Sequence, residues 1–240
     1  MNDSSCPTVV LVHGAFADAG SWAGVITELH KHDIPVCAPA NPLRGLTTDS
    51  AYIASVADGI QGPVILVGHA YGGAVISVAG MAENVVALVY IAAFVPDAGE
   101  SVAELQGRFR DSMLAVNLSP APYPIDGSEP GTEFSIHPDA FRTVFAADLP
   151  QQVTAVLAVA QRPVAEAAFT EKATAPAWRC KPSWALIAGA DQVITPEVER
   201  FGADRAASAI VEADGASHAV ALSRPAVVAA VICDAVDETS

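Results

Sequence analysis

The stretch Pro63-Val64-Ile65-Leu66-Val67-Gly68-His69-Ala70-Tyr71-Gly72-Gly73-Ala74-Val75-Ile76-Ser77 decides how the rest of the chain is read. Val64 to Val67 is an unbroken apolar run, the signature of a strand covered on both faces. Ala74-Val75-Ile76 opens an equally apolar helix. Between them Gly68, Gly72 and Gly73 bracket one small residue, Ala70. Glycine lets a strand and a helix approach closely through a very tight turn. The residue at the apex of such a turn is held in a strained backbone that serves to present its side chain. Here the side chain presented is a methyl group.

Apolar runs of strand length recur on both sides of this unit. Thr8 to Val12, Ile34 to Ala38, Val85 to Ile91, Ser183 to Ala188 and Ser208 to Glu212 read as strands, with Pro35 marking the second as an edge. Helical patterns lie between them. Trp22 to His30 follows Ser21 as N-cap, and a second helix with a Tyr52, Ile53, Val56 and Ile60 face follows Thr48 or Asp49. Pro196 to Ala207 and Pro225 to Ala235 are further helices, and Asp237 to Ser240 is a polar tail. Strands alternating with helices over short connections predict an α/β fold, a mostly parallel, doubly wound sheet of about six strands. The rhythm breaks between Ala98 and Ala177. Ser101 to Met113, Pro138 to Ala147, Gln151 to Ala160 and Val164 to Lys172 read as helical pieces, and the Pro-, Gly- and Ser-rich Asn117 to Gly131 reads as loop. The expected organisation is a core of residues 1–97 and 178–240, with residues 98–177 inserted as a helical cap.

The 240 residues are 52% hydrophobic and 16% charged, enough for one sizeable core. A net charge of −15 opposes nucleic acid and anionic membranes as partners. No apolar run reaches membrane-spanning length, and the first residues lack the basic and apolar regions of a signal peptide. Cys6, Cys37, Cys180 and Cys233 lack metal-ligand spacing. Cys37 and Cys233, among apolar neighbours, read as buried free thiols, and a reducing cytoplasmic setting fits them.

In an open parallel sheet the chemistry lies beyond the carboxyl ends of the strands. The residues placed there are His13-Gly14-Ala15-Phe16, Ala70 with Tyr71, Asp97, Asp191 and His218. Their order is elbow, acid, histidine. On these residues the chain resembles the α/β-hydrolase fold along nearly its whole length. His13-Gly14 resembles that family's oxyanion loop. Gly68-His69-Ala70-Tyr71-Gly72-Gly73 resembles its G-x-S-x-G elbow, with alanine where the nucleophilic serine is expected. Gly189-Ala190-Asp191-Gln192-Val193-Ile194 and Gly215-Ala216-Ser217-His218 resemble its acid and histidine loops. Within the family the chain is similar to the small esterase, methylesterase and hydroxynitrile lyase group.

The resemblance implies a serine-type carboxylic-ester or lactone hydrolase. Ala70 occupies the nucleophile position, His218 the general base and Asp191 its orienting acid. The N–H groups of Ala15 and Tyr71 are the expected oxyanion hole, with Phe16 as the alternative donor to Ala15. Asp97 is the rival acid, since it follows the preceding strand. An alanine at the elbow implies an inactive form that binds without turnover. Its origin is either a serine-to-alanine replacement or a natural ligand-binding member of the fold, and the intact Asp191 and His218 favour replacement. A lyase or cofactor-free perhydrolase on the same scaffold are the alternatives. Lys172 and Lys181 fall at the wrong end of the Trp184 strand for the lyase.

A small ester-like molecule is the expected partner. No cofactor or metal is implied, and a homodimer is left open. Phe16, His69, Tyr123, Trp178 and Val193 are the candidate substrate contacts. Met113, Leu114, Phe134, Phe141, Phe145 and Leu157 supply further apolar surface in the cap. Arg108 and Arg110 read as a solvated helix face.

Overall fold

A computed structural model describes residues 6–109 and 112–239; Arg110 lies outside them. The apolar runs form six strands, β1 (Thr8–Val12), β2 (Val36–Cys37), β3 (Val64–His69), β4 (Val85–Ile91), β8 (Ser183–Ala188) and β9 (Ala209–Ala213). Strands β5 (Leu118–Tyr123), β6 (Gly131–Ile136) and β7 (Val164–Ala165) form a separate sheet in the insertion. The main sheet has the order β2-β1-β3-β4-β8-β9, and every neighbouring pair is parallel. The chain winds from β1 to β2 in one direction and returns to β3 on the other side of β1. The winding therefore reverses between β1 and β3, and a crevice opens there at their carboxyl ends.

Helices cover both faces. They are α1 (Ala23–His30), α2 (Leu46–Asp58), α3 (Tyr71–Ala79), α4 (Val102–Gln106), α5 (Pro138–Phe145), α6 (Gln151–Ala160), α7 (Ala167–Thr170), α8 (Pro196–Arg205), α9 (Val220–Ser223) and α10 (Pro225–Thr239). Successive side chains of a strand point to opposite faces, and the burial follows that rule. Val9, Leu11, Ile65 and Val67 pack with Trp22 and Leu29 of the α1 region and Val228 and Ile232 of α10. Val10, Val12 and Leu66 pack with Ile53, Val75 and Val198 from α2, α3 and α8. No helix among the described residues is long and apolar enough to cross a membrane. All four cysteines are free thiols, and Cys37 and Cys233 are half-buried rather than buried.

The insertion departs from the helical cap expected. Leu118–Tyr123, expected as loop, is an edge strand paired antiparallel with β6. Pro120 and Pro122 lack the N–H that a central strand needs, and an edge tolerates that loss. Ser101 to Met113 yields only the short α4, closed at its start by a capping box between Ser101 and Glu104. Val164 to Lys172 splits into β7 and α7. The closing helix, expected over Pro225 to Ala235, runs to Thr239 and takes in most of the polar tail.

Two glycines of the elbow have no room for a side chain. A Cβ on Gly68 would lie 2.5 Å from the Gly72 carbonyl oxygen, and one on Gly72 would overlap the carbonyl oxygen of Val12. Gly72→Ala therefore forces β1 and α3 apart, and we expect a loss of ~3 kcal/mol or more in urea unfolding. Gly59→Ala is the comparison, because its Cβ would meet nothing closer than 3.5 Å. Equal midpoints for the two variants would contradict the close packing.

Candidate active site

The chain leaves β3 at His69 and enters α3 at Tyr71, with Ala70 between them at φ 53° and ψ −119°. A residue with a Cβ holds such a conformation at a cost of about 1–3 kcal/mol. The elbow is tied to the end of β4. Ala70 N–H donates to Ile91 O at 3.2 Å, and Ala70 O accepts from the N–H groups of Gly73 and Phe94 at 3.0 and 3.2 Å.

Asp191 follows β8 and is fully buried. Its Oδ1 accepts the N–H groups of Val193 and Ile194 at 2.6 and 2.9 Å. Its Oδ2 lies 2.5 Å from His218 Nδ1. One carboxylate oxygen is thus committed to the chain and the other to the imidazole. His218, beyond β9, is also buried, with its ring 4.9 Å edge-on from Phe145. The histidine loop is held from the insertion. Ala219 N–H donates to Phe145 O at 3.0 Å, and Ser217 donates to Asp148 through its N–H at 3.2 Å and its Oγ at 2.5 Å. Burial alone would push the Asp148 carboxyl up; hydrogen bonds, led by the Ser217 hydroxyl and followed by that of Ser223, outweigh it and hold the group below the usual carboxylate range.

Ala15, Phe16, Ala70, Tyr71, Val193 and His218 border one small apolar cavity of about 20 Å³, closed by Phe94, Leu114, Phe169 and Ile194. The same Phe94, Leu114 and Phe169 wall a larger apolar cleft of about 280 Å³ that reaches Val102 and Leu118. The N–H groups of Ala15, Phe16 and Tyr71 take no partner from the described residues. Phe16, in the turn that follows β1, has φ 63°, and it lines the cavity. Tyr71 is anchored from behind, its hydroxyl donating to Asp49 at 2.8 Å.

Two buried histidines brace this arrangement. His13 Nδ1 donates to Gly14 O at 2.9 Å, while its Nε2 accepts the Asn41 N–H at 3.0 Å. His69 Nε2 donates to His218 O at 2.9 Å, and the two rings lie 4.7 Å apart. Burial, reinforced by Arg162, lowers His13 to about 4, and burial with the neighbouring His218 lowers His69 to about 3. Both imidazoles are therefore neutral in the fold, whereas in the unfolded chain they titrate near 6.5. As pH falls below 6.5 the unfolded chain takes up these protons and the folded chain does not. The imidazole contribution is whole above that pH and falls by ~2 kcal/mol for each ring by pH 5. Imidazole nitrogen NMR at pH 5 should find His13 and His69 neutral, and His69→Gln should flatten the fall in urea midpoint between pH 7 and 5. A protonated His69 signal at pH 5 would count against this reading.

Of the other residues singled out in the sequence, Asp97 stands apart from the imidazole. It lies near the surface and pairs with Arg179 at 2.5 Å, so Asp191 is the acid facing His218. Tyr123 and Trp178 do not border the cavity. Tyr123 sits on the edge strand β5 with the Arg44 guanidinium 4.6 Å above its ring. The Trp178 indole N–H donates to Pro96 O at 2.9 Å, and Arg179 and Arg205 flank its ring. His69 lies behind His218 rather than in the cavity wall. Sequence reasoning missed Phe94, Phe169 and Ile194. Phe94 follows β4 at the carboxyl edge of the sheet, a position that could have revealed it; Phe169 is brought in by a one-turn helix with no periodic signal. Among the described residues no group of three or more His, Cys, Asp or Glu could hold a metal ion.

The parallel sheet, the strained elbow, the carboxylate–imidazole pair and the insertion between β4 and β8 together place the chain among hydrolase-type scaffolds. Residues 9–231 match the model of the alpha/beta hydrolase family, and the chain belongs to that family. No curated protein sequence matches significantly. Among solved structures, polyneuridine aldehyde esterase is similar at 18% identity and a TM-score of 0.82, over 96% of this chain and 99% of that one. A pyrethroid hydrolase from Sphingobium faniae JZ-2 is similar at 21% identity and a TM-score of 0.78, over 97% and 98%. Tomato methylketone synthase I, complexed with 2-tridecanone, is similar at 18% identity and a TM-score of 0.76, over 98% and 100%. At these identities the likeness is one of fold.

Proposed function

We propose that the site takes a small, largely apolar carboxylic ester or lactone, and that Ala70 leaves it able to bind this substrate but not to turn it over. The observation that carries this reading is the buried Asp191–His218 pair opening onto the same apolar cavity as the elbow apex. A serine at position 70 would attack the ester carbonyl while His218 accepted its proton. The tetrahedral oxyanion would rest on the Tyr71 N–H and an N–H of the Ala15–Phe16 loop. His218 would then return the proton to the leaving alcohol, and water would repeat the sequence on the acyl group. Asp191 would hold the imidazole in the tautomer with Nε2 free. Alanine removes only the attacking oxygen, so the cavity keeps its shape while the covalent step is lost. An inactive serine-to-alanine form accounts for the otherwise complete set. The small cavity would admit the carbonyl group, and the neighbouring cleft would receive an apolar acyl or alcohol portion. The test is gain of ester hydrolysis on Ala70→Ser. The acidic surface and free thiols fit a cytoplasmic setting.

A second reading uses the chain as it stands. An assembled acid–base pair without a nucleophile fits ligand binding, or proton transfer to and from a carbonyl compound, as a lyase requires. Methylketone synthase I, of the same fold, was crystallised with a long-chain ketone. This reading expects turnover or tight binding with Ala70 in place and no gain from serine.

A further inference from the structure

Behind the acid lies a second carboxyl that the scheme above does not use. Glu199, on α8, is 1% exposed. Its Oε2 accepts the N–H of Ala188, the last residue of β8, at 2.9 Å. Its Oε1 is buried with no donor among the described residues. The side chain is within hydrogen-bonding reach of Asp191. Asp191 already has both oxygens engaged, Oδ1 by two backbone N–H groups and Oδ2 by His218. Two carboxyl groups in contact cannot bond unless one carries a proton. His218, with His69 beside it, supplies the buried imidazoles next to the two carboxyls. Arg200, whose charge opposes the shift of Glu199, is on the surface and paired with Glu212.

We infer that Glu199 is a neutral carboxylic acid whose Oε1–H donates to Asp191, making it a positioning residue for the Asp191–His218 pair. The proton then satisfies both the orphaned Oε1 and the repulsion between the carboxyls. Burial, followed by the charge of Asp191, pushes the Glu199 carboxyl well above its ordinary value, in the same direction. A donor here draws negative charge from the Asp191 carboxylate that faces His218. Glu199 thus moderates how strongly Asp191 favours the protonated imidazole. The groups facing this unit are Asp191, His218 with His69 beside it, and Arg200 at the surface end.

The inference concerns the acid and not the substrate, so it is tested on the chain with Ala70 in place, independently of ester hydrolysis. His218 is titrated by imidazole NMR. Glu199→Gln supplies a neutral N–H to Asp191 and a carbonyl to Ala188 N–H, and is expected to leave the His218 midpoint within about 0.3 of a pH unit. Glu199→Ala removes the donor and is expected to raise it by about half a unit or more. A fall of a unit or more in Glu199→Gln would mean that an ionised Glu199 had been neutralised, and would overturn the inference. An unchanged midpoint in both variants would make Glu199 only a packing residue and overturn it equally. If Glu199→Ala fails to fold, the carboxyl ¹³C shift of Glu199 in the unsubstituted protein decides. A protonated position at pH 7 is expected, and an ionised one refutes the inference.

Discussion

Ala70→Ser is expected to raise kcat for short p-nitrophenyl esters by up to about 10⁶-fold, the factor lost when a serine triad gives up its nucleophile. The expectation rests on how little else must change. The apex backbone is already strained, and it is fixed by three hydrogen bonds, one each to its own helix, to β4 and to the segment after β4. The Asp191–His218 pair is formed without the serine, at 2.5 Å. The added oxygen enters the cavity that Ala70 and His218 both border. Steady-state hydrolysis over the alanine form measures it. A gain below about 10²-fold, in a variant with unaltered stability, would sink the ester reading and favour the chemistry without a nucleophile.

In that serine background, Asp191→Asn is expected to lower kcat by about 10⁴-fold. The bonds around Asp191 say why. The N–H groups of Val193 and Ile194 require an acceptor at the Oδ1 position, so the new amide must place its NH₂ toward His218. Nδ1 would then have to accept, and the ring proton would move to Nε2. An imidazole with Nε2 protonated cannot take the proton of a serine. Asp97→Asn makes the contrast, since Asp97 pairs with Arg179 near the surface, and it should change kcat by less than about threefold. A loss at Asp97 matching that at Asp191 would reverse the assignment.

The core and the pair facing the elbow were legible because they rest on local signals. Apolar runs specify strands buried on both faces, and Asp191 and His218 follow the last two of those strands. The insertion resisted the same reading. Leu118–Tyr123 carries two prolines among its six residues, a pattern that reads as loop until β6 is beside it. Val164 to Lys172 has helix-forming composition, yet its first two residues pair with Phe134 and Glu133. Tyr123 and Trp178 were apolar enough to be substrate contacts, but cations from distant segments cover their rings. Glu199 falls inside the helix expected over Pro196 to Ala207, and no pattern within one segment discloses that Asp191 lies against it.

The anchoring of Ser217 and Ala219 by Asp148 and Phe145 bears on how such proteins diversify. An insertion that only roofed the site could be exchanged between relatives as a cassette. Here it also supplies two of the ties that locate the imidazole, so a transplanted cap must bring its own equivalents of Asp148 and the Phe145 carbonyl. The lining of the cavity and the placement of the imidazole are inherited together.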